Sequence, residues 1–130
     1  MTNENLLTFG EIINRILNTD FDNYYENINH EYDVVETDNE IMLSILMAGV
    51  KKNDINVDVT DGILKISSER KKDSNVNYLT NKIIYGKFIN KFKLPKNIDD
   101  NNINASLTDG VLVLTIPKTD NAKSKSIEIK

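Results

Sequence analysis

The chain has 130 residues, 39% of them hydrophobic and 28% charged, with a formal net charge of -4 and no cysteine. That length holds one domain with tails and a modest core. The acidic balance argues against a nonspecific nucleic-acid binder, which needs clustered Lys and Arg, and the missing cysteines exclude a disulfide framework and thiol chemistry.

In chain order, Leu6, Phe9, Ile13 and Ile16 fall on one side of a helix over residues 5–18, and Leu7 and Leu17 widen that stripe. Glu11, Asn14 and Arg15 lie opposite, which predicts an amphipathic helix broken by Thr19-Asp20 and Asp22-Asn23. Phe21, Tyr24, Tyr25 and Ile28 continue an irregular apolar tail. Such a segment packs on its own domain, packs on a partner, or stays mobile. No stretch approaches the length needed to span a bilayer, and the acidic N-terminus lacks a signal-peptide pattern. A cytoplasmic setting with no membrane partner is therefore expected.

Glu31–Thr37 reads as a short strand with Tyr32 and Val34 on one side. Glu40–Met47 reads as a second, with Ile41, Leu43 and Ile45 alternating against Met42 and Leu46. Two near-matching segments then organise the chain, Ile55–Ile66 and Ile103–Leu114, each carrying alternating apolar residues around Thr-Asp-Gly. Asp-Gly between alternating runs predicts a two-residue type I′ hairpin, whose central positions both need positive φ. The turns set Val59 opposite Leu64, Val57 opposite Ile66, Leu107 opposite Leu112, Ala105 opposite Leu114 and Ile103 opposite Ile116. Thr60/Ile63 and Asp58/Lys65 lie on the other face.

Between the hairpins, Arg70–Asn77 is a polar loop, and Tyr78–Ile84 has weak strand character suited to pairing with another chain. Tyr85–Leu94 is a strand stopped by Pro95, which cannot donate to a ladder. Pro117 stops the second hairpin, residues 119–126 form a polar linker, and the chain ends Ile127-Glu128-Ile129-Lys130. Isoleucines at i and i+2 of an extended chain point the same way. They read either as a last edge strand on their own sheet or as a two-knob peptide that docks beside another sheet edge.

Little here supports catalysis. His30 is the only histidine and reads as a solitary surface residue, since a metal site needs several converging ligands. Asp20/Asp22 and Asp99-Asp100 read as loop acids, and Ser67-Ser68 has no histidine in a motif relation to it. The glycines at 10, 49, 62, 86 and 110 are dispersed, so no phosphate-binding loop forms. Neither enzyme activity, cofactor nor metal is expected.

These residues carry a resemblance. Ala48-Gly49-Val50, Lys52-x-Asp54-Ile55, Asp61-Gly62-x-Leu64-x-Ile66, Tyr85-Gly86-x-Phe88, Phe92-x-Leu94-Pro95, Gly110-Val111-Leu112 and Ile116-Pro117-Lys118 follow one another as in the α-crystallin domain of small heat-shock proteins. The terminal Ile127-x-Ile129 is similar to the family's C-terminal anchor, and the N-terminal arm matches in position. Two departures stand out. Leu46-Met47-Ala48-Gly49 replaces a usual Leu-Pro-Gly, and Asn90 stands where an arginine near the dimer interface is common.

The resemblance implies an all-β fold, an immunoglobulin-like β-sandwich, with an N-terminal amphipathic helical arm and a C-terminal extended tail. The implied organisation is an arm over 1–30, partly helical, a sandwich over 31–118 and an extension over 119–130. It implies an ATP-independent holdase chaperone for partly unfolded proteins, built of homodimers assembled into larger homo-oligomers. Ile127 and Ile129 would be the oligomer anchor, accepted along Ile55, Val57, Val59 and Ile103, Ala105, Leu107. Parity alone leaves open which of those six face a groove and which the core. Tyr78, Leu79, Ile83, Ile84 and Asn90 would serve the dimer contact, as in the bacterial and plant type that swaps a short strand. Leu6, Leu7, Phe9, Ile12, Ile13, Ile16, Leu17 and Phe21 would meet unfolded clients, which call for adaptable apolar contact and not a shaped pocket. The alternative reading is a non-chaperoning adaptor, co-chaperone or scaffold on the same kind of sandwich.

Overall fold

Asp61-Gly62 and Asp109-Gly110 turn the chain through the left-handed region, with φ of 52° and 74° in the first pair and 55° and 75° in the second. The two hairpins follow with the expected registers: Val59 faces Leu64, Val57 faces Ile66 and Asp58 faces Lys65. In the second, Leu107 faces Leu112 and Ala105 faces Leu114, and the ladder starts at Asn104–Thr115, one pair short of the expected Ile103–Ile116. The computed structural model describes residues 24–119 and 127–130.

Among the described residues eight strands form, β1 (Tyr24–Ile28), β2 (Tyr32–Glu36), β3 (Glu40–Leu46), β4 (Ile55–Thr60), β5 (Ile63–Arg70), β6 (Tyr85–Lys93), β7 (Asn104–Thr108) and β8 (Val111–Pro117). They build two four-stranded sheets in the orders β1-β6-β5-β4 and β2-β3-β8-β7. Every pairing is antiparallel except β1 with β6, which is parallel. Each hairpin thus belongs to a different sheet. Period-two burial runs through β5 and β8, and Leu43, Ile45, Met47, Leu64, Ile66, Leu112, Leu114 and Ile116 meet in one core between the sheets. This is the inner-face packing expected of a sandwich.

The fold is all-β, and that corrects the expectation of a helical arm. Among the described residues the only helical turns are 3-10 segments of three residues, Lys52–Asp54 and Asp100–Asn102. The described end of the expected arm is a strand: β1 adds to β6 with Tyr24 beside Tyr85 and Ile28 beside Phe88. A bare sheet edge satisfies this backbone better than an isolated helix would, since short helices are marginal without packing. The predicted helix over 5–18 lies outside the described residues.

The bend after β3 holds without the proline usual there. Met47 is fully buried, its N–H donates to the Gly110 carbonyl at 2.6 Å, and the Val50 N–H donates to the Met47 carbonyl at 3.0 Å. Gly49, with φ of 77°, supplies the positive φ that a type II turn needs at its third position.

This bend lies against the second hairpin turn, and the glycines there are not equivalent. A Cβ on Gly62 would meet nothing within 4 Å, whereas one on Gly110 would lie 3.2 Å from the Ala48 Cα. Gly62→Ala is expected to lose about 1–2 kcal/mol, the left-handed penalty alone. Gly110→Ala adds an overpacking cost of about 1–3 kcal/mol against backbone. Urea unfolding of the two variants checks this, and equal losses would mean the Ala48 approach is energetically silent.

Candidate functional site

Strand order decides where the sheets stay open. β4 ends one sheet and β7 ends the other, so their outer backbone edges pair with no strand among the described residues. Between them lies a groove of about 420 Å³ lined by Lys52, Ile55, Val57, Ala105, Ser106, Leu107 and Leu112. Ile55, Val59, Ile103 and Leu107 also pack against the core, while Val57 and Ala105 are exposed. Parity left the groove and the core as alternatives, and the geometry removes that choice. Inward-facing side chains of an edge strand are core on one side and groove wall on the other. Four of the six residues expected to accept an anchor line the groove; Val59 and Ile103 instead support it from the core.

Ile127 and Ile129 do not fill this groove in their own chain. They are 87% and 94% exposed, on an extended end that joins neither sheet. Leaving two isoleucine side chains in water forgoes roughly 1.5–3 kcal/mol each.

At the opposite side of the sandwich, β2 ends its sheet with Tyr32, Val34 and Val35 about half exposed. Leu79, Ile83 and Ile84, in the long loop between β5 and β6, are equally exposed. The loop forms no strand within the single chain, and Tyr78 is held to it by donating its hydroxyl to the Asp73 carbonyl at 2.9 Å. Arg70, expected in the polar loop but closing β5, fastens the end of this loop. Its Nε donates to the Ala48 carbonyl at 2.8 Å and its Nη1 to the Ile84 carbonyl at 2.7 Å, with the guanidinium 4.9 Å from the Phe88 ring centroid. One of only two arginines in the chain, placed before a lysine pair, was the available signal.

Asn90 is buried and works inside the subunit. Its Oδ1 accepts from the His30 N–H at 3.0 Å and its Nδ2 donates to the His30 carbonyl at 3.1 Å. The expectation that His30 is a surface residue is corrected: it is 5% exposed, stacked on Phe88 with centroids 3.9 Å apart, and its Nε2 lies 2.9 Å from the Ser68 Oγ. Burial, with a smaller push from the Arg70 charge, lowers its pKa to about 4. Side chains 38 and 60 residues away in sequence bury it, which no local pattern discloses.

Among the described residues no His, Cys, Asp and Glu cluster is placed to hold a metal, and no helix is long and apolar enough to cross a membrane. Leu6, Leu7, Phe9, Ile12, Ile13, Ile16, Leu17 and Phe21 lie outside the described residues. What the geometry offers chemically is reversible contact: open strand edges, an apolar groove and exposed isoleucines.

Residues 33–130 match the model of the Hsp20/alpha crystallin family. The chain is 36% identical over 101 residues to small heat shock protein C2 of Rickettsia felis, a match covering 75% of this chain and 66% of that protein. It is 30% identical over 128 residues to small heat shock protein C4 of the same organism, covering 93% of this chain and 77% of that one. Among solved structures, a small heat-shock protein from Xylella fastidiosa, described as having a distinct high order structure, superposes with a TM-score of 0.66 at 32% identity. That match covers 78% of this chain and 95% of the other.

Proposed function

Because the chain belongs to the Hsp20/alpha crystallin family, we propose that it is an ATP-independent holdase, binding partly unfolded proteins and preventing their aggregation as dimers assembled into larger oligomers. The observation that carries this reading is an unmatched lock and key. One chain presents an open apolar groove between β4 and β7 and a tail whose two isoleucines are exposed. The tail of one copy docks in the groove of another by strand addition, where a free edge supplies backbone partners and alternate side chains enter the cleft. Glu128, between the two knobs, suits the Lys52 rim of the groove.

The dimer contact uses the loop carrying Tyr78, Leu79, Ile83 and Ile84 against the exposed β2 edge of a second copy, an edge that natural sheets otherwise protect. Asn90 supports that contact from within by holding the entry to β2 in place. In this organisation the arm of residues 1–30 ends in β1, which joins the sandwich of 31–118, residues 119–130 are the anchoring extension, and the protein works in the cytoplasm. Clients meet the apolar residues of the arm between Leu6 and Phe21. Capture by many weak apolar contacts needs no nucleotide, since release follows from the reversibility of each contact.

The test is direct. Heating an aggregation-prone client with an equimolar amount of the full chain, without ATP, should suppress the rise in light scattering. Unchanged scattering would defeat the holdase reading; a large native mass with no protection would mark a scaffold.

A further inference from the structure

The histidine in the crossover between the sheets has no part in groove, anchor or loop, yet it is the most enclosed titratable side chain among those described above. Residues 29–31 carry the chain from β1 in one sheet to β2 in the other. At that crossing the His30 ring is stacked on Phe88 and bonded to Ser68, while both ends of the Asn90 amide clamp the His30 backbone. We propose that His30 is an acid-sensitive latch: neutral, it locks β1 onto β6, and protonated, it lets β1 go.

The groups facing the ring make it intolerant of charge. From β6 comes Phe88, with Asn90 holding the backbone, and from β5 come Ser68 and Arg70, so among the described side chains the charge acting on the ring is a cation. Glu69 and Lys87 pair across the opposite face of that sheet, and Glu31, next in the chain, is exposed. Tyr32, the first residue of β2, turns its ring edge-on to Phe92 and not to the imidazole. Among the described side chains no carboxylate is therefore positioned to neutralise an imidazolium. Protonation keeps the Ser68 hydrogen bond available but places a positive charge in a desolvated site beside Arg70.

The sign follows from linkage. A histidine whose folded pKa lies near 4, against 6.5 in the free side chain, contributes stability that is complete above about 6.5 and is lost as pH falls toward 4. Between pH 7.5 and 5.5 the locked-to-released ratio should fall about tenfold. Freed arms would raise client capture on mild acidification; this consequence rests on the arm's proposed role, while the latch itself does not.

Hydrogen–deuterium exchange of amides 24–30 in the full chain, corrected for intrinsic rates, tests the latch. Protection should drop about tenfold from pH 7.5 to 5.5 in the native protein and stay level in His30→Gln, which keeps a polar side chain without the titration. Equal loss in both, or no loss in the native protein, would overturn the proposal. Should His30→Gln misfold, an NMR titration of the native imidazole decides: an apparent pKa far below 6.5 supports the latch and one near 6.5 overturns it. Client aggregation at the same two pH values separates the readings, because opening without greater capture counts against the arm as client surface and leaves the latch standing.

Discussion

Replacing Ile127 and Ile129 together by alanine is expected to reduce the particle to dimers. Burying the two side chains supplies about 3–6 kcal/mol before ordering costs, and tethering and side-chain immobilisation remove an appreciable share. Taking a net loss of about 2–3 kcal/mol per docked tail, each contact weakens roughly 30–150-fold. Particles held by many such contacts depend on effective concentration, so a modest loss at each site multiplies across the assembly. Dimers should survive, because the β2 edge lies at the other side of its sheet from β7 and the groove, and no residue of the 78–84 loop lines that groove. Glu128→Ala, which spares both knobs, should change the mass little. Light scattering or native mass spectrometry reads the result, and an undiminished mass in the double variant would sink the anchor.

Removing residues 1–23 is expected to abolish client protection while leaving the sandwich folded. The cut falls just before β1, so the parallel pairing with β6 and the Asn90–His30 clamp are retained. What is lost is eight apolar side chains, from Leu6 to Phe21, able to meet varied apolar patches on unfolded chains. A longer cut through residue 30 would take β1 and His30 too, and would confuse lost capture with lost stability. Unfolding midpoints should therefore match those of the full chain, with scattering of a heated client returning to its level without chaperone. Full protection by the shortened chain would remove the arm from the mechanism.

Much of the sandwich was legible because its signals are local. Asp-Gly turns determine both registers, and the alternation in β3, β5 and β8 names the core side chains Leu43, Ile45, Leu64, Ile66, Leu112, Leu114 and Ile116. The same logic misled at residues 24–28, where an apolar tail read as the end of an arm is a strand completing a sheet. Tyr24 and Tyr25 suit a strand as well as an irregular segment, and only the open edge of β6 selects between them. Met47 shows that the departure from the usual Leu-Pro-Gly is absorbed locally. A bend that lacks the usual proline is closed by two backbone hydrogen bonds and a glycine with positive φ.

By itself the order of residues determined the hairpins, their inward faces and the paired isoleucines at the end, since turn chemistry and a period of two act within about ten residues. Only the tertiary structure decided that the two hairpins enter different sheets, that β4 and β7 thereby border one groove, and that Ser68, Phe88 and Asn90 enclose His30. Those outcomes depend on pairings between residues far apart in the chain, chosen by which faces can be buried together, and no short window of sequence carries that information.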